Sequence, residues 1–167
     1  MRILFMLTIG GAAVFCDLYE RRIPNPLITA GFLLGSAWQW SMKGPPGILY
    51  FLAGAALPLM LLGPLHFFKM LGAGDIKLSM VAGGFLGPWT GMKCVAFSFL
   101  IAAGISAGIL LKHHILRQRL NYFVQYLQNY YENKTWAPYI HPEENVAYLH
   151  FSIPIVLSSL CMMGGLL

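Results

Sequence analysis

An all-α, polytopic membrane fold with about six transmembrane helices is what this sequence predicts, and three observations predict it. Of the 167 residues, 57% are hydrophobic and only 10% are charged, whereas charged residues make up about 25% of an ordinary soluble domain. The mean hydropathy is +0.65. The apolar residues also gather into six runs of roughly 15–22 residues, close to the ~20 that cross a hydrocarbon core of ~30 Å.

The expected spans are Ile3 to Tyr19, Pro26 to Met42, Ile48 to Phe68, Asp75 to Trp89, Met92 to Leu111 and Val146 to Leu167. The first follows Arg2 and imitates a signal peptide, but no small-residue cleavage site precedes Asp17, so it reads as a retained helix. Pro24 and Pro26 punctuate the start of the second. The fourth is loosened by Gly83-Gly84 and Gly87-Pro88. It is expected to cross only with help from its neighbours, which backbone buried in protein permits.

Between His113 and Ala147 the composition turns polar and aromatic. Leu116, Leu120, Phe123, Val124, Leu127 and Tyr131 recur at three- and four-residue steps there, as on one face of a helix. This predicts an amphipathic cytoplasmic helix between the last two spans, ended by Trp136-Ala137-Pro138. Lys112, Arg117 and Arg119 suit it to an anionic leaflet; packing on the protein's own helices suits the apolar stripe equally. Without internal repeats, residues 1–167 read as a single membrane-embedded domain with 113–147 as a cytoplasmic insertion.

The formal charge of +5 is carried by basic residues scattered singly or in pairs between apolar runs. That is the distribution of membrane loops rather than of a nucleic-acid-binding face. Cys16, Cys94 and Cys161 form no CxxC pair, and five scattered histidines lack ligand spacing; neither a disulfide framework nor a metal site is expected. With the N-terminus outside, eight basic residues (Arg21, Arg22, Lys69, Lys77, Lys112, Arg117, Arg119 and Lys134) face the cytoplasm and three (Arg2, Lys43 and Lys93) face outward. The positive-inside rule selects that orientation.

The same orientation puts the chain's only two aspartates on one side. Asp17 ends the first run, and Asp75 opens the fourth behind Gly72 and Gly74. An acid at a membrane boundary is expensive and marks a functional site. Two carboxylates at one boundary can divide the work of peptide hydrolysis, one ionised to take a proton from water and one protonated to polarise the carbonyl. Like charges held close share one proton, and the dipole at the fourth helix's N-terminus favours the anion on Asp75. Gly72 and Gly74 are expected to permit positive φ and close approach of a substrate backbone. The alternative for Asp75 is a plain helix cap. Lys77, two positions on, would not face Asp75 on a regular helix and reads as a snorkelling cytoplasmic anchor. Arg21 stands four residues after Asp17, where pairing with it and the positive-inside pattern explain it equally well.

Gly72-x-Gly74-Asp75-x-Lys77, joined to Asp17 six residues before Ile23-Pro24-Asn25, resembles the GxGD-type aspartic peptidases that process type IV prepilins and preflagellins. Phe151-Ser152-Ile153-Pro154 is similar to the last helix of those enzymes. The small size resembles their peptidase-only form; the cytoplasmic domain with two CxxC pairs found in larger, N-methylating members has no counterpart here. The resemblance implies Asp17 and Asp75 as catalytic residues, and Gly72, Gly74, Lys77, Pro24 and Asn25 as the loop elements around them. It implies no cofactor. The implied partners are a prepilin, pseudopilin or preflagellin precursor and the lipid bilayer, in the cytoplasmic membrane, with a short basic leader cut at the cytoplasmic face. The alternative from another class is a non-enzymatic assembly or transport protein in which the two aspartates make an inter-helix polar contact or ion relay.

Overall fold

A computed structural model of the chain describes residues 2–20, 22–67, 71–112 and 150–164, together with Asn121, Val124, Gln125 and Gln128. Among these residues the regular elements are all helices. The helices are α1 (Arg2–Glu20), α2 (Asn25–Lys43), α3 (Pro45–Phe67), α4 (Ala73–Leu86), α5 (Pro88–Lys112) and α6 (Ser152–Met163). Of the expected amphipathic helix between 113 and 147 only Asn121, Val124, Gln125 and Gln128 are described, and these are helical; the rest of it and the pairing of Arg21 with Asp17 lie outside the described residues.

The boundaries follow the proline and glycine punctuation. Pro24 stands as the N-cap of α2 at φ −66° and ψ 136°, because proline fixes φ and brings no N–H to satisfy. Gly44 at φ 66° separates α2 from α3, and Gly87 at φ 88° separates α4 from α5, a region of φ that favours glycine. The last helix differs from expectation. His150 and Phe151 are not helical, and α6 runs for 12 residues from Ser152.

Two compact units are present, Met1–Ile101 with His150–Leu167, and Ala102–Leu149. In the first, α4 is the central element and packs against α1, α2, α3 and α6. Every residue from Leu78 to Leu86 except the half-buried Met80 is buried, and a helix apolar all round belongs inside. Its 14 residues reach about 21 Å at ~1.5 Å per residue, short of a bilayer core. This is the helix the sequence marks as needing its neighbours.

Close approach of α3 and α4 rests on two glycines. A Cβ on Gly54 would stand 2.3 Å from the Gly83 carbonyl oxygen, and one on Gly83 would stand equally close to Gly54 O. Small residues let helices meet backbone to backbone where water supplies no drive between them. At the far end of α4, Gln39 of α2 donates from Nε2 to the carbonyls of Gly84 (3.3 Å) and Phe85 (3.2 Å). Those are among the last carbonyls of α4, which have no partner within the helix.

The surface is as apolar as the interior. Leu33, Leu49, Met60, Phe67 and Trp89 all stand well exposed, more large apolar area than a soluble monomer leaves uncovered. Among the described residues, Pro45–Phe67 and Pro88–Ile109 are long and apolar enough to cross a membrane, with hydropathies of 2.0 and 1.8. These features are consistent with a membrane protein.

Candidate active site at the α1 and α4 termini

Asp17 reaches the interior because it continues the buried stripe of α1. Met6, Ile9 and Ala13 are buried at helical steps, and the next position on that face is Asp17, itself only 8% exposed; side chains three and four apart share a helix face. Gly10 of the same helix lies against Val156 of α6, with its Cβ position 2.9 Å from Val156 Cγ2. That contact brings the start of α6 alongside the end of α1. Ser152, the first residue of α6 and fully buried, donates its hydroxyl to Asp17 Oδ2 at 2.5 Å. His150, two residues earlier, places Nδ1 3.3 Å from the same oxygen.

Asp75 sits in the first turn of α4, three residues past the N-cap Gly72. Its carboxylate turns back to accept from the Gly72 backbone N–H, the acid half of a capping box. The charges of Asp17 and His150 both act on it. The two aspartates, far apart in sequence, therefore share one electrostatic site at one end of the bundle.

The approach to α4 is held at three points. His66 near the end of α3 bonds the Leu71 carbonyl through Nδ1 at 3.0 Å, so that nitrogen carries the proton. Gly74 lies against Ile23 of the α1–α2 connection, with its Cβ position 3.3 Å from Ile23 Cβ. Lys77 donates from Nζ to Asn25 Oδ1 at 2.8 Å. Beneath them Leu62, Ile76 and Val95 form a buried cluster flanked by Leu71 and Met80.

Some expectations about this loop are corrected. Among the described residues only Gly44 and Gly87 have positive φ, and Gly72 is extended at φ −69° and ψ 143°. An extended N-cap needs no left-handed backbone. Close approach does occur at Gly74, but the chain's own Ile23 makes it. Lys77 does not face Asp75, as its spacing requires; it is engaged by Asn25 rather than standing as an independent anchor.

Ser152 and His150 are the site residues that sequence reasoning missed. Phe151-Ser152-Ile153-Pro154 resembles the last helix of the prepilin-processing enzymes, a likeness that gives Ser152 no role, and His150 lacks ligand spacing like the other histidines. Nothing local connects either to an aspartate 135 residues earlier. Among the described residues no group of three His, Cys, Asp or Glu side chains is disposed to hold a metal ion.

A helical protein with the surface of a membrane protein, and with two carboxylates brought to one end of its bundle, is the class that fold and site define. The chain belongs to the type IV leader peptidase family, whose family model matches residues 4–110. It is thus a peptidase of the leader-processing kind. The match contains Asp17 and Asp75 and ends before His150 and Ser152. No curated protein and no solved structure matches the chain.

Proposed function

We propose that the protein is an aspartic endopeptidase, with Asp17 and Asp75 as its catalytic pair, that removes the short basic leader of prepilin-, pseudopilin- or preflagellin-like precursors. The observation that carries this reading is the convergence of the two aspartates, from the end of α1 and the start of α4, into one electrostatic site. Like charges brought together favour a state in which the pair holds a single proton. The pair then contains both a base and an acid.

In the reaction one carboxylate takes a proton from water as the water oxygen attacks the scissile carbonyl carbon, while the other carboxyl protonates the carbonyl oxygen. The resulting diol collapses as the first group returns its proton to the leaving nitrogen and the second recovers its proton from a hydroxyl. Each group ends as it began, and no cofactor enters. Gly72 and Gly74, with the Pro24-Asn25 connection held to α4 through Lys77, surround Asp75 and are the elements this reading assigns to substrate. In this reading the chain lies in the cytoplasmic membrane with its N-terminus outside, as the eight-to-three distribution of basic residues selects. That orientation turns the pair towards the cytoplasm, where a basic leader resides.

The bond from Gly72 to Asp75 also suits a structural cap, the role that a non-enzymatic protein would give this aspartate. Asp17→Asn and Asp75→Asn separate the two readings. Each variant, folded in detergent, should lose cleavage of a synthetic peptide carrying a short basic leader before an apolar segment. Turnover retained in either one would remove the aspartic assignment.

A further inference from the structure

We infer that Ser152 and His150 are positioning residues that hold Asp17 as the ionised base of the pair, leaving Asp75 as its acid. This inference rests on the aspartic reading above and divides the labour within it. Both residues lie beyond the segment that the family model covers. The polar surroundings of Asp17 are thus supplied by a part of the chain that the family match does not include.

The geometry discriminates between the two carboxyls. Asp17 Oδ2 accepts the Ser152 hydroxyl at 2.5 Å, and a donated hydroxyl favours the ionised form of the carboxyl that accepts it. His150 adds a second favourable neighbour at 3.3 Å, and when protonated it makes an ion pair there. Asp75 has one backbone N–H, the dipole of α4 and a share of the His150 charge, with no side-chain hydrogen bond to it among the described residues. The helix dipole favours the anion on Asp75; against it, the Ser152 hydroxyl and the His150 ring both meet Oδ2 of Asp17.

In the cycle this gives, Asp17 removes the proton of water and later delivers it to the leaving nitrogen. Asp75 protonates the carbonyl oxygen and recovers its proton when the diol collapses. Ser152 acts through Asp17. Its hydroxyl fixes Oδ2, so that Oδ1 is the oxygen left for the nucleophile. The titratable groups that act on one another here are Asp17, Asp75 and His150.

The test measures kcat and KM against pH for the full chain in detergent, with the basic-leader peptide as substrate. Removing a donor from an ionised carboxylate makes it harder to ionise, so Ser152→Ala should move the low-pH limb of kcat to higher pH. It should also lower the maximal kcat roughly tenfold, with KM within about twofold of wild type. Ser152→Thr, which keeps the hydroxyl, should restore the limb, and His150→Gln should move it in the same direction as Ser152→Ala. If Ser152→Ala does not fold, Ser152→Thr and His150→Gln carry the test. An acid limb unmoved in the folded non-conservative variants, while Asp17→Asn and Asp75→Asn are inactive, overturns this assignment and leaves the aspartic pair standing. Activity in Asp17→Asn or Asp75→Asn overturns the pair itself.

Discussion

Lys77 donates a 2.8 Å hydrogen bond from Nζ to Asn25 Oδ1, tying the start of α4 to the first residue of α2 across 52 positions of sequence. With Ile23 seated on Gly74, it makes the α1–α2 connection a wall against the first turn of α4, which carries Asp75. The wall is a tertiary contact, and its strength can be measured.

Lys77→Met and Asn25→Ala should each lower stability only slightly. The bond lies at an exposed edge, where such a contact is worth about 0.5–1 kcal/mol. A double-mutant cycle on thermal unfolding in detergent should return a coupling of that size. Turnover should fall several-fold in each single variant and no further in the double variant. A coupling of zero would mean that the two residues do not act together in solution.

At Gly74 the space for a side chain is graded. A Cβ would touch Ile23 at 3.3 Å, a contact that a small shift relieves. Gly74→Ala should therefore keep most of the activity. Gly74→Val adds two methyls and should cut turnover about tenfold through displacement of the connection, since overpacking costs about 1–3 kcal/mol. Ile23→Ala in the Gly74→Val background should recover part of that loss. The check is turnover beside melting temperature for the three proteins.

Gln39 is buried at the opposite end of α4 from the aspartates and bonds two carbonyls there. Gln39→Leu leaves both without that donor, so unfolding should become easier by roughly 1–3 kcal/mol. The kcat for the leader peptide should stay at its wild-type value. A change in kcat would show that α4 transmits a shift along its length to Asp75.

Single cysteines at Arg22 and Lys43, in a background without the three natural cysteines, test the orientation. Both positions are exposed. The basic-residue asymmetry puts Arg22 inside and Lys43 outside. An impermeant thiol reagent applied to intact cells should label the second and spare the first. The reverse pattern would turn the pair away from the cytoplasm.

The rate for saturating leader peptide should show two limbs with pH. It falls at low pH, where both carboxyls are protonated and no base remains, and at high pH, where neither is and no acid remains. A flat profile from about pH 4 to pH 9 is incompatible with a proton shared by the pair.

Helix content, most helix boundaries and the placing of two aspartates at helix ends are set by the sequence alone. Proline and glycine act through backbone dihedrals, which are local, and the excess of apolar residues dictates the surroundings that the helices must have. The buried stripe of Met6, Ile9 and Ala13 that carries Asp17 inward is likewise local, because helical periodicity repeats within a few residues. Only the tertiary structure decided which groups meet those acids. Ser152 reaches Asp17 across 135 residues because Gly10 lets α6 pack closely on α1, and Lys77 finds Asn25 because α4 is buried among its neighbours. Such contacts depend on how helices are placed relative to one another, and periodicity within a single helix carries no record of that placement.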